Sequence, residues 1–547
     1  MICRYDGVDA DAGGPRIHVH HKHSMILRAS LPCLLSGTLL ILIFPWYDVE
    51  WLAWVALVPL LMATYGVRPR AALGWGWLCG GVAYLGILRW IPHTMIHYGG
   101  VPVAASYGVL VLLVAYVGLY MGVFAAGWTW GVRQWPRGVL LFAPALWVAL
   151  EWVRAQALSG FPWASLGYSQ YLNRPLIQVA ELTSVYGISF ALVLGNVMVT
   201  QLLRTAKHRA WRAMVLPWAL AASGLLAIGG FGVWRLQTDW AAPTPSPPAV
   251  GVALLQGNIP QDQKWDAASR ERIFGIYSAL TRQAAAEPDV DLIVWPEAAT
   301  PFLFANEPAY RARQLLLAQE AGRPLLFGSP TYSREDNQDV MYNSAFLVGP
   351  EATVLGRYDK IHLVPFGEYI PLRRLLFFLD KLVVGIGDFR SGEAYTVMAV
   401  PQGRFSVLIC FEVIFPDLVR HFVRHGAQFL VNITNDAWFG YSPASYQHLS
   451  MVVLRAVENR VPIVRAANTG ISAVIDPNGR LVQQTDLFVR TWIKERIIPA
   501  TSPETFYTRF GDLFAYSCLL LSALGLGWWA GKRFRRGDEP MPAVTRR

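Results

Sequence analysis

Eight apolar stretches, each approaching the length of a bilayer-crossing helix, constrain this chain more than any other feature. A hydrocarbon core takes about 20 apolar residues per helix. Seven candidates precede residue 240, at roughly 26–45, 50–67, 71–92, 101–128, 138–156, 177–203 and 212–236, and an eighth covers roughly 511–531. The first two are short and share the break Pro45-Trp46-Tyr47-Asp48. The chain is 54% hydrophobic and only 15% charged, against about 25% charged in soluble domains, which agrees with a multi-pass α-helical membrane domain. Several apolar spans follow the first, so a cleavable leader is not expected.

The basic residues give the spans a direction. Arg68 and Arg70 follow the second span, and Arg133 and Arg137 the fourth. Arg204, Lys207, His208, Arg209 and Arg212 follow the sixth, and Lys532, Arg533, Arg535 and Arg536 the eighth. The alternate connections are poorer in base, and the first carries Asp48 and Glu50. Cytoplasmic loops collect Lys and Arg. Both termini are therefore expected inside, and the region between spans seven and eight outside the cytoplasm. The net charge of +10 is largely explained this way, which argues against a nucleic-acid partner. A transporter or channel is disfavoured too, because few ionisable groups fall in mid-span.

The stretch Ala241-Ala242-Pro243-Thr244-Pro245-Ser246-Pro247-Pro248 reads as a linker. Beyond it the pattern alternates: strands are predicted at 250–256, 292–295, 325–328, 344–348, 405–409, 429–434 and 463–467. Helices are predicted at 269–287, 310–321, 416–425 and 445–459. That alternation predicts an α/β domain over 249–500. The expected order is a tail over 1–25, seven spans within 26–240, the α/β domain, a last span over 511–531 and a basic tail over 532–547. The cluster His18, His20, His21 and His23 is read as part of a solvated tail. No CxxC or His/Cys metal spacing occurs, and no metal or cofactor is expected.

Three apolar runs in the α/β domain end on reactive groups. Leu292-Ile293-Val294-Trp295-Pro296-Glu297 ends on Glu297, and Tyr358-Asp359-Lys360-Ile361-His362-Leu363-Val364-Pro365-Phe366-Gly367-Glu368-Tyr369 carries Lys360 and Glu368. Val407-Leu408-Ile409-Cys410-Phe411-Glu412 carries Cys410 and Glu412. Ligands gather at strand ends in α/β sheets. A thiol is a weak nucleophile until it loses its proton. A carboxylate within reach removes that proton, and an ammonium stabilises the thiolate and the oxyanion formed at an attacked carbonyl. Together these residue types make a machine for nucleophilic acyl transfer.

The ordered motifs WPE, YDKIHLVPFGEY and ICFE resemble those of the carbon–nitrogen hydrolase (nitrilase) superfamily over about residues 249–500. Several further stretches are similar to the apolipoprotein N-acyltransferase family: Glu151-Trp152-Val153-Arg154, Ser159-Gly160-Phe161-Pro162-Trp163, Gly167-Tyr168-Ser169-Gln170, Asn435-Asp436-Ala437-Trp438-Phe439-Gly440 and Arg465-Ala466-Ala467-Asn468-Thr469-Gly470. Phe411 stands where that family often has tyrosine. The resemblance implies an αββα sandwich with a Glu297–Lys360–Cys410 triad acting by a two-step, ping-pong route. Cys410 takes an acyl chain from a membrane phospholipid as a thioester. The α-amine of a lipoprotein's diacylglyceryl-cysteine then receives it, and no nucleotide is needed. Glu297 is the implied base and Lys360 the oxyanion partner. Glu368 is the additional carboxylate, and Glu412 supports the nucleophile.

A thioester must be kept from water, and lids do this in many enzymes. Leu375–Leu379 and Leu382–Val384, flanked by Arg373, Arg374 and Lys381, suit a membrane surface, with Leu376 and Phe378 as the central residues. Trp438 and Phe439 are the second lid candidates. The alternative is a membrane-anchored amidase or nitrilase that hydrolyses a C–N bond with the same triad. The protein is expected to sit in a bacterial inner membrane as a monomer, with its catalytic domain in the periplasm.

Overall fold

A computed structural model of the chain describes residues 30–205, 209–238, 248–335, 337–369, 389–501 and 504–535. The expected tail at 1–25, residues 536–547 of the basic tail expected over 532–547, most of the linker, and the lid candidates Leu376 and Phe378 lie outside the described residues.

Among the described residues, four helices are long and apolar enough to cross a membrane: Val103–Gln134, Val139–Ser159, Val185–Thr205 and Trp211–Gln237. A fifth forms if Pro69–Ile87 and Ile91–His97, bent by 51°, are taken as one span. Pro92, in the first turn of the second piece, carries no N–H to continue the ladder. The remaining three expected spans are shorter apolar helices, Ser30–Leu42, Glu50–Thr64 and Leu513–Gly527. The second of these opens as a 3-10 turn, Glu50–Trp54, before Val58–Thr64 with Pro59 in its first turn. Helices Pro69–Ile87 and Val103–Gln134 pack along glycines. A Cβ at Gly76 would lie 2.6 Å from the Met121 carbonyl, and one at Gly80 2.8 Å from Gly118 Cα. Apolar side chains gain nothing by leaving lipid for one another, so close backbone approach is what holds such helices together.

The α/β part is two six-stranded sheets. The first has strands β1 (Val250–Gln256), β2 (Leu292–Val294), β3 (Leu325–Glu335), β4 (Gln338–Val348) and β5 (Val354–Asp359). The second has β6 (Met398–Val400), β7 (Gly403–Ile409), β8 (Phe429–Thr434), β9 (Ile463–Ala467), β10 (Ala473–Ile475) and β11 (Leu481–Gln484). The last strand, β12 (Thr491–Ile497), returns to the first sheet, giving orders β12-β1-β2-β3-β4-β5 and β11-β10-β9-β8-β7-β6. Each sheet is parallel at its centre, β1–β2–β3 and β7–β8–β9, and antiparallel at its edges. The sheets face one another through β1 with β9 and β4 with β7. Helices Arg270–Ala285 and Pro308–Ala321 cover one outer face, and Pro416–Arg424 and Ala444–Asn459 the other. Strands β1, β2, β8 and β9 are buried at every residue, as strands covered on both faces must be.

Buried polar contacts join this sandwich to the helical domain. Gln447, on Ala444–Asn459, donates from Nε2 to the carbonyls of Pro45 (3.1 Å) and Ile87 (3.3 Å) and accepts from Trp163 Nε1 at 2.8 Å. Glu458 Oε1 accepts from Ser184 Oγ at 2.6 Å and Arg455 Nη2 at 2.9 Å. Glu181 accepts from Arg235 Nε on both oxygens at 3.0 Å and from Arg460 Nε on Oε2. Removing one member of a buried ion network leaves charge uncompensated and costs about 3–5 kcal/mol. Glu181→Gln is therefore expected to lower the thermal midpoint of the full chain in detergent markedly. Glu320→Gln, which breaks only the solvent-exposed pair with Arg282, should leave the midpoint unchanged.

Candidate active site

Three strand ends converge on one buried point. Strand β2 stops where Pro296 removes a ladder donor, and Glu297 follows, 7% exposed. Its Oε1 accepts from Asn343 Nδ2 on β4 at 2.8 Å and its Oε2 from the Asn435 backbone N–H at 2.9 Å. Glu297 is thus held from both sheets. A Cβ on Gly328 of β3 would lie 2.8 Å from Glu297 Cα and 2.5 Å from the Ala298 nitrogen, so only glycine admits this approach.

Lys360 follows β5 directly. Its backbone N–H donates to the Asn343 carbonyl at 2.9 Å, and its side chain is 1% exposed. Its Nζ lies 2.9 Å from Glu368 Oε1 and 3.9 Å from Glu297 Oε1. Burial alone would lower the ammonium's pKa, but the charges of Glu368 and Glu297 outweigh it and hold the group above the ordinary lysine range. Glu368 also accepts from Asn343 Nδ2 and the Val364 N–H, each at 2.8 Å. Asn343 therefore donates to both carboxylates.

Cys410 ends β7 and begins the 3-10 turn Cys410–Ile414, with φ at 53°. Left-handed backbone at a non-glycine residue costs about 1–2 kcal/mol and is kept only where its surroundings enforce it. Glu412 enforces it here. Its Oε2 accepts from the Ile409 N–H at 2.7 Å. Its Oε1 accepts from Tyr358 Oη at 2.6 Å and the N–H groups of Ile361 at 2.7 Å and His362 at 3.1 Å. Glu412, fully buried, thus ties the Cys410 turn to the lysine segment. Burial raises the Cys410 thiol's pKa above the ordinary range; Glu297 adds to the rise and Lys360 opposes it. A thiol raised in this way needs a base before it can act as a nucleophile.

Asn435 and Asp436 do more than make a turn. Beyond the N–H given to Glu297, Asn435 Nδ2 donates to Gln261 Oε1 at 2.6 Å. Asp436 accepts from Arg465 Nη2 at 2.7 Å and Thr434 Oγ1 at 3.0 Å. Burial would raise its pKa, but Arg465 and His448 outweigh that and hold it below the usual carboxylate range. Trp438 and Phe439 continue the same segment onto the helical domain. The Trp438 carbonyl accepts from Thr94 Oγ1 at 2.8 Å, and the Phe439 ring lies 4.8 Å from that of Trp90. Lys264 and Asn343 were not singled out from sequence: each is a common residue type outside the three motifs, and only the fold brings it to the site. Tyr358 opens the second motif but was given no role there. Among the described residues, no three His, Cys, Asp or Glu side chains gather as a metal site.

Fold and site together define a nitrilase-type enzyme: the carbon–nitrogen hydrolase family model matches residues 251–501, carried here on a helical domain. The model of the apolipoprotein N-acyltransferase N-terminal domain matches residues 36–198. The chain belongs to the apolipoprotein N-acyltransferase family. It is 46% identical over 506 residues to the apolipoprotein N-acyltransferase of Geobacter metallireducens, covering 91% of this chain and 94% of that one. It is 30% identical over 522 residues to that of Vibrio vulnificus, covering 93% and 98%. Among solved structures it is similar to Saccharomyces cerevisiae Nit3, a member of branch 10 of the nitrilase superfamily, at 21% identity and a TM-score of 0.36, covering 46% of this chain and 91% of that one.

Misplacing a catalytic group by about 1 Å costs on the order of a hundredfold in rate. Gly328→Ala, which displaces the Glu297 backbone, is therefore expected to lower the acyltransferase activity of the full chain by about that factor. The check is the initial rate of acyl transfer to a lipopeptide acceptor, followed by mass spectrometry.

Proposed function

We propose that this enzyme moves a fatty acyl chain from a membrane phospholipid to the α-amino group of the diacylglyceryl-cysteine that begins an apolipoprotein. One observation carries the reading: a buried ammonium, shared by two carboxylates, acts on a thiol held in strained backbone at a strand end. The relatives' names supply the acyl-transfer class, and the joined helical domain suits substrates that live in a bilayer.

In the first half, Glu297 takes the Cys410 proton as sulfur attacks the ester carbonyl. Lys360 stabilises the oxyanion. Collapse expels the lysophospholipid alkoxide, which takes the proton back from Glu297, and a thioester remains. In the second half, the neutral amine attacks the thioester and gives a proton to Glu297. The thiolate leaves and is reprotonated, so the amide forms with no other co-reactant. Glu368 orients Lys360, and Glu412 holds the nucleophile's turn. Trp438 and Phe439 border the acyl-chain entrance and keep water from the thioester.

We place the enzyme in a bacterial inner membrane with eight spans, both termini in the cytoplasm and residues 249–500 in the periplasm, on the strength of the basic residues that follow alternate spans. It works as a monomer. The test is intact mass spectrometry of the full chain after incubation with phospholipid in detergent. A fatty-acyl adduct that hydroxylamine removes is expected on the wild type, and none on Cys410→Ala. Adding a diacylated lipopeptide should discharge the adduct into an N-acylated product. Release of free fatty acid only would instead identify a hydrolase.

A further inference from the structure

One charged group at this centre has no part in the steps above. Lys264 sits just after the 3-10 turn Gln261–Gln263 and is 2% exposed. Its Nζ donates to the Glu297 backbone carbonyl at 2.9 Å. Among the described residues it makes no ion pair and no other side-chain hydrogen bond. A buried ammonium is costly unless negative charge answers it, and one carbonyl dipole does not suffice.

The segment carrying it is fixed. The Asn258 N–H donates to the Asn468 carbonyl at 2.9 Å, and Ile259 exchanges hydrogen bonds with the Asn468 side chain at 3.0 and 2.8 Å. Gln261 is held by Asn435, the residue whose N–H binds Glu297. The groups whose charges act on Lys264 are Glu297, from the end of β2, and Cys410, from the end of β7. On its own segment, Asp266 is engaged by the Ala268 N–H and Ser269 Oγ, and Asp262 acts on Tyr98. Lys360 approaches Glu297 through its carboxylate, whereas Lys264 holds the backbone carbonyl.

The distances divide the charge unevenly. Lys360 is 2.9 Å from Glu368 but 3.9 Å from Glu297, so its charge is answered first by Glu368. The charge of Glu297 then needs a second cation, and so does the charge that passes to sulfur and the oxyanion when Glu297 takes the proton. We propose that Lys264 is that cation: a positioning residue, required in its charged form, that fixes Glu297 and stabilises the anionic sulfur during acylation of Cys410.

This rests on the acyl-transfer reading above. Burial brings Lys264 down to about 8, with Glu297 and Cys410 pulling the other way, so it titrates in an accessible range. Lys360 is held well above that range. Below about 8 Lys264 is charged and the centre is active. As pH rises through that value the proton leaves and acylation slows.

The experiment follows the initial rate of acyl-Cys410 formation by quenched intact mass spectrometry. It uses the full chain with mixed phosphatidylethanolamine and phosphatidylglycerol micelles, from about pH 6 to about pH 10. Omitting the amine acceptor removes its own titration. For the wild type, the rate should fall about tenfold per pH unit above the Lys264 limb. Lys264→Arg, whose charge persists, should keep most of the rate at pH 7 and lose that limb. Lys264→Met should be slower at pH 7 by at least about tenfold, with no limb. A wild-type rate that does not decline, a limb unchanged in Lys264→Arg, or a Lys264→Met rate equal to wild type would each overturn the proposal. The wild-type profile decides alone if neither variant folds. No adduct on the wild type at any pH would overturn the acyl-transfer reading, and this inference with it.

Discussion

The Lys360 ammonium, sealed from water between Glu368 and Glu297, is the interaction on which the rest of this structure turns. A dry cation requires fixed anions close by, and those anions require donors of their own. Asn343 answers both carboxylates, the Val364 N–H answers Glu368, and the Asn435 N–H answers Glu297. Satisfying one charge therefore fixes β4, the segment after β5, the end of β2 and the end of β8. The two sheets cannot slide past one another without leaving a buried charge bare. The positions that chemistry needs are the ones that electrostatics already specifies.

The same reasoning explains why a thiol with a raised pKa suits this site. A permanently ionised sulfur would compete with Glu297 and Glu368 for the available cations and would stand open to oxidation. A neutral thiol beside an ionised carboxylate keeps the resting charge balanced, and the negative charge moves to sulfur only as a carbonyl arrives. The strained backbone at Cys410 presents that sulfur beyond the strand end. The strain is held by Glu412, whose four accepted hydrogen bonds bind the nucleophile's turn to the lysine segment.

Much of this was legible in the sequence, for a definite reason. The central strands are buried on both faces, so they read as short continuous apolar runs, and their reactive residues stand where those runs stop. Glu297, Lys360, Glu368, Cys410 and Glu412 were all visible in this way, and the fold brings them together. The helices flanking the sheets were predicted to within two residues at every end. The strands β5, β6, β10, β11 and β12 were not predicted. Of these, β5, β11 and β12 lie at sheet edges and are half exposed, with residues such as Arg357, Gln483 and Glu495 breaking the apolar signal. Hairpin β3–β4 also runs beyond its predicted ends, through Thr331–Glu335 and Gln338–Asn343, where polar residues pair across the strands. Asn343 lies in that extension, so it stayed hidden. Lys264 lies in a loop whose only signal is tertiary. The apolar spans were legible as spans, but hydropathy does not register the break between Glu50–Trp54 and Val58–Thr64 or the bend before Ile91–His97.

That bend gives the two domains a shared part. Thr94 and Tyr98 belong to the helix that follows it and the turn beyond, and both hold Trp438, through a hydrogen bond and a ring contact 5.4 Å between centroids. Trp438 stands three residues after Asn435, whose N–H fixes the Glu297 carboxylate. The Ile91–His97 helix is thus linked through Trp438 to Asn435 and Glu297, along a segment that Asp436 and Arg465 pin by a buried ion pair. Small shifts in a packed interior are not absorbed locally, because such interiors are dense and have few alternative arrangements. The position of the base is in this way tied to the helical domain. A hydrolase merely tethered to a membrane has no need of that tie. An acyl transferase does, because its base must be in register with the carbonyl when lipid is seated and must give water no opening when it is not.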